Sequence, residues 1–338
     1  MNSEQNILSA QNLEIGYKSS TFSKLVYGPI SLNSCKGEIV AIVGRNGIGK
    51  STLLRTLAGL QTPVSGNVIV KHSLLSELPR RQRAQSISFV PSDSVLVQNL
   101  TVKEFVALGR FPYNDWNENL SEADWNAVTT SLELVGVEHL SNCNITEISD
   151  GERHRAMIAF ALAQDTDIIL LDEPTAFLDI SNKIEVINLL RREAQKGKTV
   201  IFTTHDLNIA FREVDTIWLM HPEVFAVGTP EELALNGSFD KLLEGTSVQF
   251  NPMLGTFATP RKPLATISLT ASSEMLFVWT KFALERIGFS VETDSENEVY
   301  TLSCTTDCWQ LSIKNETKAF DSLGNLCRFL KSKIELKP

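Results

Sequence analysis

The apolar residues of this chain fall into three textures. Glu38-Ile39-Val40-Ala41-Ile42-Val43, Asp167-Ile168-Ile169-Leu170-Leu171 and Thr199-Val200-Ile201-Phe202-Thr203 are short and almost unbroken. Such runs predict strands buried on both faces, as in a parallel sheet. Leu13-Glu14-Ile15-Gly16-Tyr17, Ile30-Ser31-Leu32-Asn33, Gly66-Asn67-Val68-Ile69-Val70 and Ser86-Ile87-Ser88-Phe89-Val90 read as further strands, the last stopped by Pro91. Thr216-Ile217-Trp218-Leu219-Met220 and Val224-Phe225-Ala226-Val227 are closing strands around a turn at His221-Pro222. Helical spacing takes over between about 93 and 165. There Thr101-Val102-Lys103-Glu104 has the form of a capping box, and Ser121 opens a helix that runs to Val135 and stops at Gly136. A third helix follows Ser149 and carries Ala156, Ile158, Ala159, Ala161 and Leu162. Helices are also predicted over 51–58, 181–195 and 230–235. The basic run Arg80-Arg81-Gln82-Arg83 reads as a solvated face.

Past residue 260 the pattern restarts. Strands are expected over 264–269, 289–292, 299–303 and 309–313, with helices over 274–287 and 322–331, enough for a small α+β domain. The expected organisation is therefore an α/β unit over about 5–250, with a helical subdomain at about 93–165, and a second domain over 260–338. Strands alternating with helices place ligands at the carboxyl ends of the strands.

The chemistry collects at those ends. Gly44-Arg45-Asn46-Gly47-Ile48-Gly49-Lys50-Ser51-Thr52 fits G-x-x-x-x-G-K-[ST], between a buried strand and a helix. Its glycines let backbone N–H groups turn onto phosphate oxygens at the positive end of that helix. Lys50 adds a charge for the β- and γ-phosphates and Ser51 a hydroxyl for Mg²⁺. Asp172 and Glu173 close the second buried strand, suited to a metal ligand beside a general base. His205 closes the third. Taken alone, Asp-Glu after a strand is often a helix N-cap, and a lone histidine is more often structural.

Composition narrows the setting. At 338 residues with a formal net charge of −9, broad nucleic-acid binding through a basic surface is not expected. The polar start Met1-Asn2-Ser3-Glu4-Gln5-Asn6 shows no secretory signal, and no apolar run is long enough to span a bilayer. Five scattered cysteines suit a reducing compartment. Cys304 and Cys308 supply only two ligands, too few for a metal site, and read as incidental.

Ile148-Ser149-Asp150-Gly151-Glu152-Arg153 opens a helix. With the phosphate loop, Leu170-Leu171-Asp172-Glu173-Pro174-Thr175, Phe177-Leu178-Asp179 and Thr204-His205-Asp206, the ordered set resembles an ABC-type ATPase subunit over about residues 5 to 250. The resemblance implies a P-loop fold with a RecA-like core, an antiparallel β subdomain and a helical subdomain. It implies ATP and Mg²⁺ as ligands. Tyr17 would stack on adenine, and Gly44, Arg45, Asn46, Gly47, Ile48, Gly49, Lys50, Ser51 and Thr52 would hold the triphosphate. Asp172 would serve Mg²⁺, Glu173 would be the general base and His205 would sense the γ-phosphate. Ser149, Gly151 and Glu152 would contact the nucleotide of a second copy, with Asp179 at the seam of a head-to-tail dimer. Thr101 to Tyr113, together with the Ser-Asp-Gly-Glu-Arg form of the signature segment, resembles importers of iron–siderophore complexes, haem or cobalamin. That implies membrane permease subunits as partners, a substrate-binding protein upstream, and a place at the cytoplasmic face of the inner membrane. Ser92 stands where the family has a metal-reaching glutamine, which puts coupling in question. The alternatives are a soluble ABC protein that remodels nucleic acid, against which the charge argues, and a regulatory one without transport.

Overall fold

The computed structural model describes residues 6–19, 21–93, 97–114, 119–252, 255–260, 262–293, 299–314 and 316–334. Two compact units form, Met1–Phe257 and Ala258–Pro338.

In the first unit, β1 (Asn6–Lys18) pairs antiparallel with β2 (Ser23–Cys35), and β3 (Ile39–Gly44) leads through the phosphate loop into α1 (Lys50–Leu57). Then follow β4 (Ser65–Val70), β5 (Ser73–Leu74), α2 (Arg80–Ser86) and β6 (Ile87–Val90). The helical block holds α3 (Val102–Ala107), continued by a tighter turn over Leu108–Tyr113, α4 (Glu122–Leu134) and α5 (Asp150–Ala163). The chain returns through β7 (Ile168–Leu171), α6 (Ile180–Gln195), β8 (Thr199–Thr203), α7 (Leu207–Glu213), β9 (Thr216–Met220), β10 (Phe225–Gly228), α8 (Pro230–Leu235) and α9 (Ser238–Leu243). A short ladder of β11 (Gln249–Asn251) and β12 (Thr256–Ala258) ends the unit.

Two sheets result: an antiparallel one ordered β2-β1-β4-β5 and a central one ordered β10-β9-β3-β8-β7-β6, parallel except for β10. The unbroken apolar runs now have their reason. Along β3, Ile39, Ala41 and Val43 enter one core with the helical block, while Val40 and Ile42 enter another with Leu53, Leu54 and Leu57 of α1 and with Leu8, Leu13 and Ile15 of β1. β7 divides likewise, Ile169 and Leu171 against Ile168 and Leu170. A strand covered on both faces has no polar side to alternate with.

Capping boxes open α3 at Thr101, α4 at Ser121, α5 at Ser149 and α8 at Thr229. In the box of α4, Asp124 also accepts from Arg110 Nε at 2.8 Å. Hydrogen bonding from Ser121, aided by Arg110, holds its carboxyl down at about 2. Arg110 donates onward to the Ala163 carbonyl at 2.8 Å, so one guanidinium joins three elements of the block. The basic run at 80–83 is not merely solvated: it forms α2, and Arg81 donates to the Pro112 and Tyr113 carbonyls at 2.9 and 3.1 Å. Between α2 and the block lies an open groove of about 860 Å³ lined by Arg81, Leu108, Phe111, Pro112 and Phe160.

The second unit runs β13 (Ala265–Ala271), α10 (Glu274–Arg286), β14 (Phe289–Glu292), β15 (Tyr300–Thr305), β16 (Cys308–Ile313), β17 (Glu316–Phe320) and α11 (Leu323–Ile334). Its sheet is ordered β14-β13-β15-β16-β17, parallel at the β14-β13-β15 end and antiparallel beyond. Ile267, Leu269, Leu284, Leu302, Leu311, Leu326 and Leu330 form its core. Cys304 is buried and donates to the Thr270 carbonyl, Cys308 is half-buried, and among the described residues no cluster of His, Cys, Asp and Glu is placed to hold a metal ion.

Candidate active site

The phosphate loop leaves β3 and closes onto α1. Gly47 has φ 79° with open space where a Cβ would stand, and Gly49 has φ 116° with Val26 Cγ1 2.9 Å from that point. Both values belong to glycine, and the second also forbids a side chain by contact. α1 has no side-chain cap and no acid in its first turn, unlike the boxed helices, so its N-terminal amides keep their affinity for an anion. The Lys50 ammonium donates to the Gly44 carbonyl at 2.8 Å and the Arg45 carbonyl at 3.4 Å. Burial lowers its pKa, opposed by the carboxylates of Glu173 and Asp172. Arg45 points elsewhere, donating to the Leu242 and Glu244 carbonyls.

The parallel register of β3, β8, β7 and β6 brings the second motif beside the first. Ser51 Oγ donates to Asp172 Oδ1 at 2.9 Å, and Thr203 Oγ1 donates to the same oxygen at 2.7 Å. Asp172 Oδ2 is buried and, among the described residues, has no hydrogen-bond partner. An orphaned buried carboxylate oxygen beside a serine hydroxyl is a suitable donor set for a hard divalent cation, so the residues present fit Mg²⁺. Glu173 has φ 54°, and its amide donates to Thr203 Oγ1 at 2.8 Å. Its Oε2 lies 2.8 Å from His205 Nδ1. Phosphate loop, paired carboxylates and histidine thus share one site.

The signature segment lies on α5. Ser149 Oγ donates to Glu152 Oε2 at 2.7 Å while the Ser149 amide donates to the same carboxylate at 2.9 Å. Those bonds, the hydroxyl's first, hold the Glu152 carboxyl below its usual range. Asp179 caps α6 by accepting from the Asn182 amide at 2.8 Å. Among the described residues, no hydrogen bond or ion pair joins Ser149, Gly151, Glu152, Asp179 or Tyr17 to the phosphate loop. Tyr17 is half-exposed near the end of β1, and Asn46 is exposed. Ser92 is half-buried two residues past β6, and among the described residues no hydrogen bond joins it to Asp172 or Ser51. Thr52 is buried in α1.

Sequence reasoning passed over three residues. Thr203 carries no signal in the sequence, since threonine is an ordinary strand residue and Thr204 stands beside it; its role rests on the bonds to Asp172 and Glu173. Arg153 is buried and holds the signature segment by donating to the Ile145 and Ile148 carbonyls and to Asp150. His154, also buried, meets the Pro174 carbonyl at 3.0 Å.

A family profile described as ABC transporter matches residues 27–176. The achromobactin transport ATP-binding protein CbrD of Dickeya dadantii is 37% identical over 228 residues, 67% of this chain and 83% of that protein. The chain belongs to the ABC transporter ATP-binding family. It is an ATP-binding, ATP-hydrolysing cassette with a P-loop α/β fold. The ferric enterobactin transport ATP-binding protein FepC of Escherichia coli is 36% identical over 228 residues, again 67% of this chain and 83% of that one. A solved dimer of the cassette MJ0796, in a post-hydrolysis state with ADP and Pi, superposes with a TM-score of 0.60 at 28% identity, covering 66% of this ABC chain and 98% of its own. A second profile, described as iron ABC transporter C-terminal domain, matches residues 264–331.

Proposed function

We propose that this ABC ATPase energises a membrane importer of iron–siderophore complexes or a chemically related chelate such as haem or cobalamin. One observation carries the reading: the Ser51–Asp172 and Glu173–His205 pairs stand beside the phosphate loop in a chain whose residues 264–331 match a domain of iron ABC transporters. The names of the relatives point the same way.

The α1 amides and Lys50 bind the triphosphate, and Tyr17 stacks on the base. Asp172, Ser51 and Ser92 are the residues that would hold Mg²⁺, which when bound supplies positive charge beside the phosphates. Glu173 accepts the proton of a water aligned on the γ-phosphorus. His205, with Nδ1–H donating to Glu173 Oε2, keeps that carboxylate aimed. Ser149, Gly151 and Glu152 of a second copy complete the site, with Asp179 at the seam. No helix among the described residues is long and apolar enough to cross a membrane. Permease subunits supply the transmembrane path, as the names of the relatives suggest, and the groove at Phe111 and Pro112 receives them at the cytoplasmic face. A substrate-binding protein acts upstream.

The test is capture of the tagged full chain from detergent-solubilised native membranes. The expected result is a co-purifying polytopic protein that stimulates ATP hydrolysis. A chain that leaves the membrane fraction alone, with hydrolysis indifferent to added membrane protein, overturns the importer reading.

A further inference from the structure

We propose that one face of α5 is a positioning device for the hydrolytic base, with His154 as its key residue. The proposal rests on the reading of Glu173 as that base. Gly151, His154 and Arg155 are spaced i, i+3, i+4 and so share one side of the helix. All three meet the segment that runs from Glu173 to the first turn of α6. His154 Nε2 lies 3.0 Å from the Pro174 carbonyl, one residue beyond Glu173. A Cβ added to Gly151 would stand 3.4 Å from Leu178 Cδ2 and 3.5 Å from the Phe177 carbonyl oxygen, in ordinary contact, so the helix surface at Gly151 packs directly on the segment. Arg155 Nη1 donates to Asn182 Oδ1 at 3.2 Å.

That segment needs holding. Glu173 and Phe177 both have positive φ, 54° and 62°, and neither is glycine. Such conformations persist only where the surroundings fix them. The Phe177 side chain is exposed and contributes no anchorage of its own. Thr203 fixes the Glu173 amide from the β8 side, and α5 supplies the opposite wall. His154 is buried, and burial lowers its pKa, so the ring is neutral with Nε2–H donating to Pro174. The same helix begins at the signature segment. Its attitude is therefore passed directly to the base of its own subunit, and signature and base move as one body.

The experiment uses the full chain. His154→Leu fills the space without a donor, whereas His154→Gln keeps an N–H at the corresponding atom. Turnover at saturating ATP and the dissociation constant for ATP are measured for both variants, with Glu173→Gln alongside. A misplaced base predicts turnover lower by about ten- to a hundred-fold in His154→Leu, with ATP affinity changed by less than about twofold, because the phosphate loop is untouched. The glutamine variant should return to within about threefold of the parent. Parental turnover in His154→Leu, or a glutamine variant as slow as the leucine one, overturns the proposal. If the leucine variant does not fold, Asn182→Ala decides: slower turnover at unchanged affinity supports the device and unchanged turnover overturns it. Parental turnover in Glu173→Gln sinks the base assignment itself, a result distinct from failure of the His154 arm alone.

Discussion

Thr203→Val removes one hydroxyl and nothing else of similar size, yet that hydroxyl serves both carboxylate-bearing residues. It donates to Asp172 Oδ1 at 2.7 Å and accepts from the Glu173 amide at 2.8 Å. A hydrogen bond to a charged acceptor contributes roughly 1.5–3 kcal/mol, and the part-buried Glu173 amide left without a partner costs up to about 1–3 kcal/mol. The extra methyl of valine in a fully buried strand returns about 1 kcal/mol. The net loss is therefore roughly 2–5 kcal/mol. For a folding unit of this size, at about 2–4 °C per kcal/mol, the melting temperature should fall by about 5–15 °C. Turnover should fall by about ten- to a hundred-fold even well below the melting temperature, because the backbone at Glu173 loses its anchor. Thr203→Ser, which keeps the hydroxyl, should retain most of both properties. The assays are calorimetric melting and steady-state ATP hydrolysis at saturating nucleotide. A valine variant that melts and turns over like the parent would refute the assignment of Thr203 as the joint support of Asp172 and Glu173.

Three further outcomes are expected. Ser92→Gln should raise turnover while leaving the ATP dissociation constant nearly alone, since a longer side chain can reach the Mg²⁺ directly; steady-state rates with and without permease check this, and no gain under either condition counts against it. Asp124→Asn should destabilise the protein at neutral pH by about 1–3 kcal/mol, because Arg110 loses its ionic partner. The carboxyl is depressed to about 2, so its contribution is complete above the ordinary value of about 3.9 and disappears as pH falls towards 2; urea unfolding at pH 6, 4 and 3 should show parent and variant converging on the acid side. Ending the chain after Pro260 should leave a folded unit with parental ATP affinity, since every nucleotide motif precedes that point; an insoluble or non-binding product contradicts the division.

The sequence shows clearly those parts of the protein whose causes are local. The buried strands β3, β7 and β8 announce themselves because both faces are covered, and the box at Thr101 and the helix starts at Ser121 and Ser149 because capping is settled within four residues. Elements set by tertiary contact leave no such mark. The basic run at 80–83 looks merely solvated because the carbonyls of Pro112 and Tyr113 that hold Arg81 lie some thirty residues on. β17, Glu-Thr-Lys-Ala-Phe, has four of its five residues exposed and carries the charges of an edge strand, so no alternation marks it. The seven-residue α7 is too short to show a period. In the site, the loop and the carboxylates could be found from their types, whereas the hydroxyl of Thr203 and the ring of His154 depend on what the fold sets opposite them.

Hydrolysis by this mechanism requires two copies of the chain to close around ATP with Glu173 as the base. Glu173→Gln keeps the shape of the side chain and removes its basicity, so with ATP and Mg²⁺ it should accumulate in the closed state. Light scattering on the eluted protein should then report twice the 37.5 kDa of one chain, with two ATP molecules retained per pair and hydrolysis reduced by about 10²–10⁴. A variant that stays at the mass of one chain in saturating ATP, or that hydrolyses ATP at the parental rate, contradicts it.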